Sequence, residues 1–183
     1  MQGWAPSTLT DRGREQARAL GAHLAARYDF DRLVASDLRR TRETTAMVRE
    51  HGIAPEPTFD RAWRERDFGV YQGLTKTEVF EQYPEFAVTS GVSAVREVPE
   101  NGESLLAARE RVLDGWTQLL DEAAGETVLV VTHGGPIYLL LGHVRGQDIV
   151  TAVTGHSQHN CAINELLVGG GNGVEILRHN ETV

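Results

Sequence analysis

Apolar residues recur at helical spacing in two long stretches of the chain. From Thr10 to Tyr28 they return every three or four residues, and a similar spacing is found from Ser104 to Leu120. Thr10 and Ser104 can each cap the N-terminus of the helix that follows. The stretch from Arg39 to His51 is also predicted to be a helix, which Gly52 ends. The sequence therefore predicts three helices, of which the first and the third are amphipathic.

Short apolar runs between and after these helices predict strands. Arg32 to Ser36 and Thr127 to Thr132 are nearly continuous apolar runs, which are typical of strands buried on both faces. Cys161 to Val168 and Gly173 to Leu177 predict a hairpin with a glycine-rich turn. Strands that alternate with helices in this way indicate an α/β fold around a largely parallel sheet.

The section between the second and third helices is less regular. Glycines and polar residues from Trp63 to Thr75 predict a loop that opens a further helix near Thr75. Pro84, Gly91 and Pro99 then interrupt the chain. No repeat, linker or low-complexity tract divides the sequence, so we expect residues 1–183 to form one domain.

The composition is that of a globular protein. With 183 residues, 40% of them hydrophobic, the chain can bury a sizeable core, and its single cysteine, Cys161, excludes a disulfide-stapled miniprotein. A net charge of -8 argues against nucleic acid as a partner. No apolar run approaches the length of a membrane span, and the residues after Met1 do not form a secretory leader. We therefore expect a cytoplasmic enzyme with neither nucleic acid nor membrane as partner.

Polar residues follow both predicted buried strands. Ser36 to Arg40 comes after the first strand, and His133 to Gly135 comes after the second. In open α/β sheets, ligands bind at the carboxyl ends of the strands, where an arginine, a histidine and a helix N-terminus can cradle a phosphate. In the alternative interpretation, Arg40 is a solvated helix residue and His133 a satisfied turn residue. The spacing of these residues leaves both interpretations open.

Five groups of residues, in chain order, carry a resemblance to a known family. They are Gln2-Gly3-Trp4 with Leu9-Thr10; Ser36, Leu38, Arg40 and Thr44; Arg64 to Gly69 with Gln72 to Thr75; Gly102-Glu103-Ser104 with Arg111; and Val130 to Gly135. Together they resemble the motifs of the histidine phosphatase superfamily, also called the phosphoglycerate mutase-like family. The resemblance implies a three-layer α/β fold with a mainly parallel central sheet flanked by helices.

The resemblance also implies phosphoryl transfer through a phosphohistidine. Glu65 would be the general acid that protonates the leaving oxygen, Arg40 would neutralise phosphoryl oxygens, and His133 would stabilise the charge that develops on them. No metal or other cofactor is implied, and the expected partner is a small phosphorylated metabolite. Three further residues are implied in phosphate or substrate binding: Gln2, Gly3 and Gly134.

The sequence departs from the family pattern at the nucleophile. In the family, the attacking histidine belongs to an Arg-His-Gly motif at the end of the first strand, and this sequence contains no Arg-His-Gly. The motif order places that strand upstream of Met1. Two explanations follow: the native protein begins further upstream and is active, or it is a degenerate member. Because loss of an interior strand is costly, we favour the first and expect the 183-residue chain to be inactive and poorly folded.

Within the family, a phosphatase is the preferred interpretation. The stretch from Glu65 to Gly102 is compact and lacks the longer insertions with which mutases enclose their intermediate. A cofactor-dependent phosphoglycerate mutase and a non-catalytic phosphate-binding protein are the alternatives. His156, His159 and Cys161 have residue types found in metal sites, but they lack a recognised zinc spacing, so we expect no metal there.

Overall fold

The computed structural model describes residues 1–84, 95–155, 157–169 and 173–183. The helices, in chain order, are α1 (Asp11–Ala25), α2 (Arg39–Arg49), α3 (Lys76–Gln82), α4 (Leu105–Glu122), α5 (Gly134–Val144) and α6 (Ile149–Thr154). The strands are β1 (Arg32–Ala35), β2 (Pro57–Phe59), β3 (Val128–Val131), β4 (Ile163–Val168) and β5 (Val174–Glu181). Two short 3-10 helices, Arg61–Trp63 and Gly69–Tyr71, lie between β2 and α3.

Three parallel strands form the main sheet in the order β2-β1-β3. Val34 of β1 lies opposite Thr58 of β2 on one side and opposite Val130 of β3 on the other. The two apolar runs predicted as buried strands are therefore neighbours. Because they are parallel, the polar residues that follow them lie at the same edge of the sheet.

Alternate residues of β1 contribute to hydrophobic cores on opposite faces of the sheet. Val34 packs with Trp63 and with side chains of α4 and α5 on one face. Leu33 and Ala35 pack on the other face with Leu24 of α1 and Val48 of α2. Helices thus cover both faces, as parallel sheets require, and the predicted α/β fold is confirmed.

The predicted hairpin is also present. β4 and β5 pair as a two-stranded antiparallel sheet that is separate from the three-stranded one. β5 alternates half-buried and exposed residues, which is the pattern of a strand with one solvated face. Residues 170–172, at the tip of the hairpin, lie outside the described residues.

The sequence did not predict the two short elements β2 and α6. β2 has only three residues and begins at a proline, so it is too short to show a period. α6 has six residues and begins after Asp148, whose carboxylate accepts hydrogen bonds from the N–H groups of Val150 and Thr151, both at 3.0 Å. Gly91, predicted to interrupt the middle section, lies among residues 85–94, outside the described part. Within the described ranges, no helix has the length and apolarity needed to cross a bilayer.

The crossing of α1 and α2 yields a stability prediction. A Cβ atom at Gly21 of α1 would lie 2.6 Å from the carbonyl oxygen and 2.8 Å from the Cα of Val48 in α2. Gly21→Ala is therefore expected to separate the helices and to lower the free energy of unfolding by about 2 kcal/mol. Urea denaturation measures this change.

Gly13→Ala, on the same helix, is the matched control. A Cβ atom at Gly13 would lie 3.5 Å from its nearest neighbour, which is ordinary van der Waals contact. Since alanine also favours the helix, Gly13→Ala is expected to raise the free energy of unfolding by about 0.5 kcal/mol. Equal losses in the two variants would contradict a close helix crossing at Gly21.

Candidate active site

Ser36 and His133 meet at the carboxyl end of the main sheet. Ser36 directly follows β1, and His133 follows β3 by two residues and caps α5. His133 is 8% exposed, and its Nε2 lies 2.8 Å from Oγ of the fully buried Ser36. Oγ of Ser36 also accepts a hydrogen bond from the N–H of Leu38 at 3.3 Å. The His133 ring is therefore held by one partner at Nε2, which leaves Nδ1 for a ligand.

Burial makes His133 neutral at physiological pH. Removal of solvent lowers the pKa of its imidazole to about 3, and the positive charges of Arg40 and Arg111 add to this effect. A neutral imidazole carries one donor and one acceptor nitrogen. His133 can therefore donate one hydrogen bond to a ligand without bringing a full charge into the site.

The pH dependence of folding follows from this depressed pKa. His133 is protonated near pH 6.5 in the unfolded chain but only near pH 3 in the folded one, so the unfolded state binds more protons between these values. The contribution of His133 to the free energy of unfolding is therefore fully present above pH 6.5 and decreases as the pH falls below that value. We expect His133 to contribute a loss of about 1 kcal/mol per pH unit between pH 6 and 5. Because glutamine does not titrate, His133→Gln should remove this part of the dependence of the free energy of unfolding on pH, which urea unfolding at several pH values measures. An unchanged pH dependence would contradict the burial of His133.

Arg40 reaches the same edge from the first turn of α2. Its Nη2 donates a hydrogen bond to the carbonyl oxygen of Gly3 at 2.9 Å. Its Nη1 is buried and has no hydrogen-bond acceptor among the described residues. Burial lowers the pKa of the guanidinium, an effect that the nearby Glu65 carboxylate opposes. A buried cationic donor without an acceptor is costly, and an anion bound at Nη1 would remove that cost.

Gly3 lies tightly against the segment that carries Glu65. Its φ of 51° falls in the left-handed region, and a Cβ atom there would lie 2.7 Å from Oε1 of Gln72 and 3.1 Å from the carbonyl oxygen of Arg66. Only glycine allows the backbone to reach Arg40 in this conformation. Gln2, the preceding residue, is exposed beside the site.

The Glu65 carboxylate sits at the N-terminus of α5. Its Oε1 accepts a hydrogen bond from the N–H of Arg66 at 2.8 Å, and its Oε2 accepts one from the N–H of Gly135 at 3.2 Å. A Cβ atom at Gly135 would collide with this carboxylate, so glycine is needed for the approach. Gly134 precedes it at the start of the helix. The helix N-terminus thus holds the carboxyl group of Glu65 beside the place where Nη1 of Arg40 can bind an anion.

Arg111 and Trp4 fix the backbone that carries Glu65. Arg111 forms an ion pair with Glu103 at 2.5 Å, and Trp4 donates from Nε1 to the carbonyl oxygen of Glu65 at 2.7 Å. Arg111 also donates to four backbone carbonyl oxygens in this segment: those of Arg61, Ala62, Arg64 and Glu65. These contacts make Arg111 and Trp4 positioning residues for the acid.

A second ion pair supports the same edge of the sheet. Arg64 binds Asp37 through two hydrogen bonds, at 2.5 and 2.6 Å, and lies over the ring of Trp4 at 4.4 Å. Hydrogen bonding from Arg64 lowers the pKa of the Asp37 carboxyl. The negative charge of Asp37 also acts on His133, whose pKa it raises against the larger effect of burial. The contacts among these three residues were not predicted from the sequence, because the residues lie far apart along the chain.

All six residues implied in catalysis or binding line one groove of about 2000 Å³. They are Gln2, Gly3, Arg40, Glu65, His133 and Gly134. Within the described ranges, no three His, Cys, Asp or Glu side chains are grouped so that they could hold a metal ion, and His156 lies outside those ranges.

This arrangement is one found in enzymes that transfer phosphoryl groups, with an arginine, a histidine and a carboxylic acid around one anion position. Residues 1–182 match the model of the histidine phosphatase superfamily, branch 1. The chain therefore belongs to that superfamily.

Individual relatives agree with this assignment. The chain is 32% identical to phosphoglycerate mutase-like protein 4 of Arabidopsis thaliana over 146 residues, covering 79% of this chain and 64% of that protein. It is 33% identical to the broad-specificity phosphatase YOR283W of Saccharomyces cerevisiae over 147 residues, covering 77% of this chain and 61% of that protein. The chain thus spans less than two thirds of either relative.

A solved structure shares the whole fold. YhfR of Bacillus stearothermophilus superposes with a TM-score of 0.89 at 26% identity, covering 100% of this chain and 89% of that one. The superfamily contains both phosphatases and phosphoglycerate mutases, as the names of relatives of this chain show.

Proposed function

We propose that the chain is a domain of a cytoplasmic phosphatase that hydrolyses small phosphate monoesters through a phosphohistidine intermediate. The observation that carries the proposal is the buried Nη1 of Arg40, which has no acceptor among the described residues and lies beside a neutral His133 and the Glu65 carboxylate. These are the groups that an ester phosphate needs around it.

The roles of the three side chains follow from their surroundings. Arg40 binds two phosphoryl oxygens through its guanidinium, and His133 donates from Nδ1 to one of them because Ser36 engages Nε2. Glu65, in its protonated form, gives its proton to the ester oxygen. Gln2, Gly3 and Gly134 supply the polar wall and the helix N-terminus around the phosphate.

The reaction proceeds in two steps. A histidine nitrogen attacks phosphorus and the bond to the ester oxygen breaks, so an alcohol leaves with the proton from Glu65. Water then attacks the phosphohistidine while Glu65 takes one of its protons, and inorganic phosphate leaves. The 183 residues contain no Arg-His-Gly motif, which in the family carries the attacking histidine, so we propose that they do not turn over substrate by themselves.

Two other functions are distinguishable from this one. A phosphoglycerate mutase is favoured by a relative named as one, which is 32% identical over 145 residues, and such an enzyme would pass the phosphoryl group to a second substrate instead of water. A non-catalytic phosphate-binding protein is favoured by the lack of an Arg-His-Gly motif. Retention of Glu65 argues against the latter, since an acid has no use where nothing leaves.

Mass spectrometry of the N-terminal peptide of the protein, as its source cell makes it, tests the proposal first. We expect a peptide that extends beyond Met1 and contains Arg-His-Gly, and a protein of that length that releases phosphate from small monoesters. A native terminus at Met1 would overturn the proposal and favour binding without turnover. Isomerisation of 3-phosphoglycerate faster than phosphate release would favour the mutase.

A further inference from the structure

The hydroxyl group of Ser36 lies between the two halves of the anion position. Ser36 directly follows β1 and is 0% exposed. Its Oγ lies 2.8 Å from Nε2 of His133, which caps α5, and accepts a hydrogen bond from the N–H of Leu38, which caps α2, at 3.3 Å. Arg40 belongs to the first turn of α2. One buried hydroxyl group therefore contacts both elements that carry the anion-binding side chains.

The single proton of this hydroxyl group has one place to go. A serine hydroxyl group has one proton to donate and two lone pairs that accept. The N–H of Leu38 can only donate, so it occupies a lone pair of Oγ. Within the described ranges, the other hydrogen bond of Oγ is the one with Nε2 of His133. The hydroxyl proton therefore either points to Nε2 or is buried without an acceptor.

Hydrogen-bond satisfaction selects one tautomer of the His133 ring. Burial lowers its pKa to about 3, so the ring is neutral at physiological pH and carries one proton, at Nδ1 or at Nε2. A proton at Nε2 would be donated to Oγ of Ser36 and would leave the buried hydroxyl proton without an acceptor, which is costly. With the ring proton at Nδ1, Ser36 donates to the lone pair of Nε2, and both groups are satisfied.

We propose that Ser36 is a positioning residue that donates its hydroxyl proton to Nε2 of His133 and thereby fixes the Nδ1–H tautomer. In this tautomer, His133 presents a hydrogen-bond donor at the ring nitrogen that Ser36 leaves for a ligand. In the other tautomer, a lone pair at Nδ1 would face the negative charge of the anion. The choice of tautomer is independent of the reaction, whereas the donor role toward a phosphoryl oxygen rests on the proposed function.

The group that orients His133 is an alcohol rather than a carboxylate. A carboxylate bound to a histidine ring favours the protonated ring, because it pairs with the positive charge. The carboxylate of Asp37, whose charge acts on His133, is engaged at both oxygens by Arg64, at 2.5 and 2.6 Å. Ser36 instead fixes the ring without stabilising an imidazolium. His133 is therefore suited to donating a hydrogen bond and not to taking up a proton, which leaves proton transfer to Glu65.

Nitrogen NMR of the His133 ring tests the tautomer directly. The sample is a form of the protein in which a strand ending in Arg-His-Gly precedes Met1, isotopically labelled at the histidine nitrogens, and His133→Gln identifies the signals of His133 by their loss. At neutral pH we expect Nδ1 to show the chemical shift of a protonated ring nitrogen and Nε2 that of an unprotonated one. In Ser36→Ala, both shifts should move toward the average of the two tautomers. A protonated Nε2 in the original protein, or an unchanged tautomer in Ser36→Ala, would overturn the proposal.

Thr41→Val is the matched control for the loss of a buried hydroxyl group. Thr41 is 4% exposed, and its Oγ1 donates to the carbonyl oxygen of Leu38 at 2.8 Å. Because valine keeps the shape of the side chain and Thr41 does not bind the ring, the chemical shifts of His133 should stay unchanged. Ser36→Thr, which keeps the hydroxyl group, should retain the Nδ1–H tautomer. Circular dichroism checks that the variants fold, and the shifts of the original protein test the tautomer even if a variant does not fold.

Phosphate binding separates the role of Ser36 from the proposed function. Ser36→Ala is expected to weaken the binding of inorganic phosphate about ten-fold in isothermal titration calorimetry, because the donor at Nδ1 of His133 is no longer fixed, whereas Thr41→Val should keep the original affinity. An unchanged affinity in Ser36→Ala despite a changed tautomer would overturn the donor role. A protein that has the Nδ1–H tautomer but releases no phosphate from monoesters would contradict the proposed function and support the role of Ser36 in fixing the tautomer.

Discussion

Glu65→Gln is expected to slow hydrolysis of alkyl phosphates by about a thousand-fold while slowing hydrolysis of 4-nitrophenyl phosphate by only a few-fold. An alkoxide is too basic to leave without a proton, whereas nitrophenolate leaves unaided. Glutamine keeps the size of the side chain but has no proton to give, and its single oxygen can accept from only one of the N–H groups of Arg66 and Gly135. The measurement is kcat/KM for the two ester classes, with a form of the protein in which a strand ending in Arg-His-Gly precedes Met1.

Glu103→Gln is the matched control for Glu65. Glu103 is a carboxylate close to the segment that carries Glu65, but it binds Arg111 and the N–H of Asp67 rather than facing the anion position. Glu103→Gln is expected to lower kcat/KM for both ester classes by the same factor, since Glu103 only positions the segment that carries Glu65. Equal losses for the two ester classes in Glu65→Gln would contradict the acid role of Glu65.

Arg40→Ala is expected to weaken the binding of inorganic phosphate by about a hundred-fold, measured on a form of the protein in which a strand ending in Arg-His-Gly precedes Met1. The variant removes the buried Nη1 donor as well as the bond to Gly3, and charge-assisted hydrogen bonds contribute about 1.5–3 kcal/mol each. Isothermal titration calorimetry measures the affinity, and the nucleophile is not needed for it. The phosphate affinity of Arg40→Lys should lie between that of the original protein and that of Arg40→Ala, because an ammonium group keeps the charge but loses the bidentate geometry.

Arg39→Ala separates the role of Arg40 from the loss of a positive charge in general. Arg39 is the adjacent residue of α2, and its side chain is 63% exposed and paired with Glu43. Exposed ion pairs contribute little, so the phosphate affinity of Arg39→Ala should stay within two-fold of the original. Equal weakening by both variants would place the phosphate away from Nη1 of Arg40.

Periodicity predicted the long elements well. The three helices begin within a residue of their predicted starts and end within about three residues of their predicted ends, because capping residues mark the starts: Oγ1 of Thr10 accepts from Gly13, and Oγ of Ser104 accepts from Ala107. Strands β1 and β3 were equally clear as apolar runs, but only β1 is buried as predicted, since all four residues of β3 are half-buried. β2 and α6, with three and six residues, are too short for any period to show and depend on tertiary packing.

The candidate site was only partly visible in the chain. The place of Arg40 and His133 after two predicted strands made them candidates but left a solvated or turn role equally open, whereas Glu65 was indicated only by the family motif. The hydrogen bond between Ser36 and His133 spans 97 positions, and that between Trp4 and Glu65 spans 61, so no local pattern could indicate them. The depressed pKa of His133 likewise depends on burial by side chains from several elements.

The sequence by itself determined the α/β class, the helices and strands that are long enough to show a pattern, and the residue types available at the sheet edge. Those features depend on contacts between near neighbours, which spacing and capping residues record. Only the tertiary structure decided which of these residues meet, that Arg40 has a buried donor without an acceptor, and that β3 faces an open groove. These depend on the register of parallel strands and on burial, which arise only when distant parts of the chain pack together.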